Sequence, residues 1–132
     1  MIEMEYLSKM LREPITLASG EIGGYNYYVL SLGTHPCGYV ELPKTHKYFN
    51  VDYDNIPVEC HGGLTYGCNF LHTVAAPTED RFFIGWDYAH YGDYMGYYTV
   101  FDHPYSYKWT TGEIVKECLD VIRQLKELDE EE

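Results

Sequence analysis

Phe83-Ile84-Gly85-Trp86-Asp87-Tyr88-Ala89-His90-Tyr91-Gly92-Asp93-Tyr94 (residues 83–94) passes from an apolar run into a cluster of carboxylates, an imidazole and tyrosines. The first half, with Arg81 and Phe82 before it, has the composition of a buried strand. The second half has the composition of a loop that carries chemistry. A second polar knot, Glu59-Cys60-His61-Gly62-Gly63-Leu64-Thr65-Tyr66, precedes it. The two are expected to converge and line one hollow.

Outward from this strand, alternating aromatic and β-branched residues predict others. Tyr25–Leu32 and Cys37–Leu42 read as an antiparallel hairpin, closed by Gly33-Thr34-His35-Pro36. Ile15-Thr16-Leu17 reads as a short strand, with a turn at Ser19-Gly20-Glu21. Val58-Glu59-Cys60-His61 reads as a strand ending at the glycine pair, with Leu64-Thr65-Tyr66 after it. Tyr97–Phe101 reads as a last strand. Residues 43–57 form a long polar connection, rich enough in aromatic residues to pack as an ordered loop.

Two helical patterns flank these strands. Ile2, Tyr6, Leu7, Met10 and Leu11 have helical spacing over residues 2–12, and Pro14 stops it. Thr110 followed by Glu113 has the pattern of a capping box. From there Ile114, Val115, Cys118, Leu119, Ile122, Leu125 and Leu128 give one apolar face to a helix over about 111–128. Asp129 to Glu132 reads as an acidic tail. The expectation is a single α+β domain spanning 1–132, an antiparallel sheet packed by a C-terminal amphipathic helix.

The formal net charge is −12. Residues 113–132 carry eight acids and three bases, and the first 112 carry thirteen and six, so the excess is spread along the chain. Such a chain is repelled by nucleic-acid backbones and anionic membranes. No apolar run reaches the length of a membrane span, and the acidic start Met1-Ile2-Glu3-Met4-Glu5 lacks the layout of a secretory signal. Four dispersed cysteines, Cys37, Cys60, Cys68 and Cys118, read as reduced thiols. A cytoplasmic protein is expected, with a homo-oligomer compatible and the oligomeric state open.

Asp87, His90 and Asp93 recur at a spacing of three, which puts them on one side of a helical or 3₁₀ turn. Tyr88, Tyr91, Tyr94 and Tyr97 keep the same spacing one residue later. Three chemistries fit this pattern and stay open. With His61, the carboxylates and imidazole could hold a divalent metal. They could bind the polar groups of a ligand, or they could brace the turn. No compact metal signature is present.

Gly62-Gly63 lacks the lysine of a phosphate loop but allows close approach to its backbone. A Cys60–His61 nucleophile pair is disfavoured, because strand neighbours point to opposite faces. Fifteen tyrosines, many of them between Trp86 and Trp109, suit stacking on a planar ring. Lys44, His46 and Lys47 form a local basic cluster that could meet an anion. The candidate ligand contacts are thus His61, Gly62, Gly63, Tyr66, Trp86, Asp87, Tyr88, His90, Tyr91, Asp93, Tyr94, Lys44 and Lys47. If the chain is an enzyme, His61, Asp87, His90 and Asp93 would be its catalytic or metal-binding set.

His61-Gly62-Gly63-Leu64-Thr65-Tyr66 and Ile84-Gly85-Trp86-Asp87-Tyr88-Ala89-His90-Tyr91-Gly92-Asp93, with Cys37–Pro43 and Tyr53-Asp54, resemble a family of small proteins found largely in bacteriophages and prophages. The similarity spans roughly residues 25–125. It implies a phage gene product acting inside an infected bacterium, and it brings no mechanism with it. Together with size and charge, it leads to the expectation of a counter-defence protein that sequesters a nucleotide-derived immune signal. One alternative is a metal-dependent phosphodiesterase using the same residues. Another is an acidic nucleic-acid mimic that blocks a host nuclease such as a CRISPR effector.

Overall fold

A two-glycine turn sets the register of the first hairpin. Gly23 and Gly24 have φ of +58° and +91°, the left-handed pair that a tight hairpin turn requires. Strand β1 (Ile15–Ile22) therefore folds directly onto β2 (Tyr25–Ser31), with Ile22 facing Tyr25. The turn expected at Ser19-Gly20-Glu21 is mid-strand instead, because those residues pair with Tyr28, Tyr27 and Asn26. The computed structural model from which these observations come describes residues 14–31, 35–88 and 109–131. The expected helix at 2–12 and strand at Tyr97–Phe101 lie outside them, as do His90, Tyr91, Asp93 and Tyr94.

Strand β3 (Pro36–Leu42) pairs with β2, and β5 (Phe82–Asp87) pairs with β3. The three-residue β4 (Tyr66–Cys68) lies outside β5, so the antiparallel order is β1-β2-β3-β5-β4. Flanked by β3 and β4, β5 is the buried strand that its composition predicts, with Phe83 and Ile84 fully buried. On its two faces, large rings cover facing glycines. Trp86 lies opposite Gly38, and Tyr39 lies opposite Gly85. A Cβ on Gly38 would come within 2.6 Å of the Trp86 ring, and one on Gly85 would strike the Tyr39 ring. The missing side chains are the space in which these rings pack.

Helix α1 (Thr111–Glu130) opens on the expected capping box. Thr110 Oγ1 accepts from the Glu113 amide at 3.2 Å, and Glu113 Oε1 accepts from the Thr110 amide at 3.1 Å. The helix lies across β2 and β3. It buries Ile114, Cys118, Val121, Ile122 and Leu125 against Val29, Val40, Ile84 and Trp86. Burying an Ile or Leu side chain contributes roughly 1.5–3 kcal/mol, so this face accounts for much of the helix's attachment. The protein is an α+β domain in which an antiparallel sheet is packed by a C-terminal amphipathic helix. No described helix is long and apolar enough to cross a membrane.

The other sheet face carries a smaller core of Leu30, Cys37, Tyr39, Leu71 and Phe83. Beside it, Arg81 grips Glu41 as a fork, with Nε and Nη2 each 2.7 Å from a carboxylate oxygen. The Tyr28 hydroxyl and Asn26 Nδ2 also donate to Glu41, at 3.1 and 3.2 Å. Burial alone would raise the Glu41 carboxyl, but these hydrogen bonds and the Arg81 charge outweigh it and hold the group below the ordinary range.

Candidate functional site

Residues 58–61 do not form the expected strand, because the helix satisfies their backbone. The Glu59 amide donates to Gln124 Oε1 at 2.8 Å, and Gln124 Nε2 donates to the Glu59 carbonyl at 2.7 Å. The His61 amide donates to Glu117 Oε1. These side chains take the place of a strand partner and tie the segment to α1. The chain then turns sharply, with Gly63 donating to the Cys60 carbonyl at 2.9 Å and φ of +71° and +83° at Gly62 and Gly63. That is the positive-φ corner the glycine pair predicts. Space around Gly63 is open: a Cβ built there meets nothing within 4 Å.

The corner presents His61 to the end of β5. Its imidazole stacks on Tyr88 with centroids 4.7 Å apart and planes within 8°, and Trp109 meets it edge-on at 4.9 Å. Tyr88 and Trp109 are 5.1 Å apart, which closes a three-ring cluster. Beneath it runs a buried hydrogen-bond chain. Trp86 Nε1 donates to the Tyr88 hydroxyl at 3.0 Å, and that hydroxyl donates to Glu117 Oε2 at 3.2 Å. Burial pushes the Tyr88 phenol far above its ordinary value, so it remains a neutral donor.

Strand alternation divides the expected site between two faces. Trp86 and Tyr88 belong to the core under the helix, and His61 stacks on that side. Asp87 faces the other way, opposite Cys37 in the register, and accepts from Thr65 Oγ1 at 3.2 Å. Tyr66 is also on that second face, edge-on to Tyr39 at 5.3 Å with its hydroxyl bonded to the Phe70 carbonyl. Among the described residues, His61 therefore lies on one face of the sheet and Asp87 and Tyr66 on the other, so these three do not line one hollow. Trp86 and Tyr88, expected as ligand contacts, are 1% and 0% exposed. They support His61 from below and offer no surface to a ligand.

The basic cluster is likewise separated from His61. Lys44 follows Leu42, which pairs with Phe82 at the start of β5, whereas Tyr88 lies six residues further on, roughly 20 Å away along the strand. Lys44 pairs with Asp80 at 2.6 Å. The Lys47 amide donates to Asp129, twelve residues beyond Glu117 (129 − 117) and so about 18 Å further along the helix. His46 is buried, accepting at Nδ1 from the Tyr48 amide at 3.0 Å and donating from Nε2 to the Leu125 carbonyl at 2.8 Å. Nε2 fastens the 43–57 loop to the helix, Nδ1 holds the loop's own backbone, and neither meets an anion.

Burial, reinforced by the Glu117 charge, pushes the Cys60 thiol up to about 12, which leaves it a poor nucleophile at neutral pH. Among the described residues, no group of three or more His, Cys, Asp and Glu side chains gathers closely enough to hold a metal ion. His90 and Asp93, the other half of the expected set, lie outside those residues. Two positioning residues went unrecognised as such in the sequence, Glu117 and Gln124. Their signal was a polar side chain on the border of the apolar helix face, each about one helical turn from Val121. The chain matches no family model, no curated protein and no solved structure.

Proposed function

We propose that this is a phage counter-defence binding protein, taking up a planar, nucleotide-derived host signal without turnover. The observation that carries this reading is the aromatic seat of His61 and Trp109, half-buried over Tyr88 and bordered by the open Gly62-Gly63 corner. Aromatic rings held rigidly from below suit stacking on a base, and a glycine corner lets a ligand approach the backbone. Recognition would rest on the ring of the ligand, since Lys44 and Lys47 are remote from His61. The phage context comes from the motif resemblance.

The hydrolytic alternative would need His90 and Asp93 to complete a metal set with His61 or Asp87. The nucleic-acid mimic draws less support from the helix. Glu117 turns toward His61 and Tyr88, Asp120 and Glu127 are paired with Arg123, and Asp129 holds the Lys47 amide.

Calorimetry and thermal shift against cyclic nucleotides and ADP-ribose derivatives test the proposal. Binding to at least one is expected, weakened roughly 5- to 150-fold in His61→Ala, the equivalent of one lost stacking contact. The ligand should be recovered intact after prolonged incubation; its cleavage would favour the phosphodiesterase. Absence of binding across the panel would overturn the sequestration reading.

A further inference from the structure

We propose that the outer edge of β1 and the groove between it and α1 form the interface of a symmetric dimer of this chain. Among the described residues, β1 is the edge strand of the sheet, eight residues long, and pairs with β2 alone. Edge strands in soluble proteins are usually guarded by lysine, proline or inward charge. β1 has no lysine or proline, and its one charged residue, Glu21, is folded back to accept from the Gly24 amide at 2.9 Å.

Apolar exposure is concentrated at the same place. Among the described residues, five large hydrophobic side chains are exposed: Ile15, Leu17, Ile22, Leu119 and Phe70. The first three are on β1, and Leu119 is on the helix beside it. Ile22 and Leu119 border a groove of about 300 Å³ that also takes in Arg123, Lys126, Glu127 and Glu130. Clustering of this kind marks an interaction surface, whereas scattered single residues would not.

The charges argue that the occupant is a second copy. A two-fold interface must be complementary to itself. Arg123 and Glu127 are already paired within the chain, but Lys126 and Glu130 carry opposite charges about one helical turn apart on the same groove, so a two-fold axis can set the Lys126 of one copy against the Glu130 of the other. With a net charge of −12, most other approaches of two copies are repulsive. A bulge at Leu17 interrupts the ladder with β2, leaving Ala18–Ile22 as the regular stretch. Antiparallel pairing of two such stretches about Gly20 places Ile22 of each copy against Ala18 of its partner, with no side chain on the axis.

Sedimentation velocity on the full chain, from micromolar to submillimolar concentration, tests this directly. The wild type should show a species of twice the 15.4 kDa chain mass. Ile22→Asp, and independently Leu119→Asp, should raise the dissociation constant by roughly a hundredfold, since each substitution enters the interface twice. Both positions are solvent-exposed, so far-UV circular dichroism should be unchanged. Phe70→Asp, at the remaining exposed hydrophobic, should leave the dimer intact. A wild type that is monomeric throughout overturns the proposal and leaves the edge to an unrelated strand. A dimer that survives both groove substitutions, or that Phe70→Asp disrupts equally, overturns it too.

Discussion

Replacing Tyr88 with phenylalanine removes a single oxygen from the interior and tests how the aromatic seat is held. That oxygen accepts from Trp86 Nε1 at 3.0 Å and donates to Glu117 Oε2 at 3.2 Å. Trp86 is 1% exposed, so its indole N–H would be left with neither a protein acceptor nor water. Leaving a buried donor unsatisfied costs about 1–3 kcal/mol. Glu117 is only half-buried, and water can replace most of what its carboxylate loses. The ring itself stays, so its packing on His61 and Trp109 changes little. The expected loss is therefore about 2 kcal/mol, dominated by the indole. In urea, with a slope of about 2 kcal/mol/M, the midpoint should fall by about 1 M with the slope unchanged. A double-mutant cycle with Trp86→Phe isolates the bond, and coupling of about 1 kcal/mol or more is expected. A midpoint within error of wild type, or a cycle with no coupling, would refute the hydrogen-bond chain as the support of the seat.

Glu41→Gln should be less stable than wild type at neutral pH. A carboxyl held below its ordinary value by Arg81, Asn26 and Tyr28 contributes fully above that value and loses the contribution as pH falls through the folded-state one. The stability gap between the two proteins should thus narrow below about pH 4, and a gap independent of pH would count against this. Gly38→Ala should destabilise by about 1–3 kcal/mol, because its methyl would press on the fully packed Trp86 ring. Gly112→Ala, with open space around it, should be neutral or slightly stabilising in the same melts. Cys37 and Cys118 are 2% and 0% exposed, and burial pushes each thiol up to about 12. An aromatic disulfide reagent at mildly alkaline pH should leave both unmodified until denaturant is added. Rapid modification of either in the native protein would place it at the surface.

Local signals carried most of the fold. The alternation in Tyr25–Leu42 and the apolar run at 82–87 specified three strands to within a residue or two, because period-two burial is written residue by residue. The Thr110–Glu113 box and the apolar stripe specified the helix and the side it buries. Where expectation failed, two local signals competed. Ser19-Gly20-Glu21 has turn composition, but the Gly23-Gly24 pair two residues later forms the tighter turn and draws the whole segment into β1. Val58–His61 has strand composition, yet among the described residues no strand pairs with it.

The candidate site divides along the same line. That His61 precedes a glycine corner, and that Trp86 and Asp87 point to opposite sides of a strand, follows from the sequence by itself, since both depend only on neighbouring dihedrals. Which face of the strand α1 covers, and hence that Trp86 and Tyr88 are buried while Asp87 joins Tyr66 and Tyr39, was decided by tertiary packing. The partners of His61 come from residues 27, 48 and 56 positions away along the chain: Tyr88, Trp109 and Glu117. No periodicity encodes such pairs. They arise because a segment without a strand partner must find its hydrogen bonds elsewhere, and here the side chains of one helix supply them.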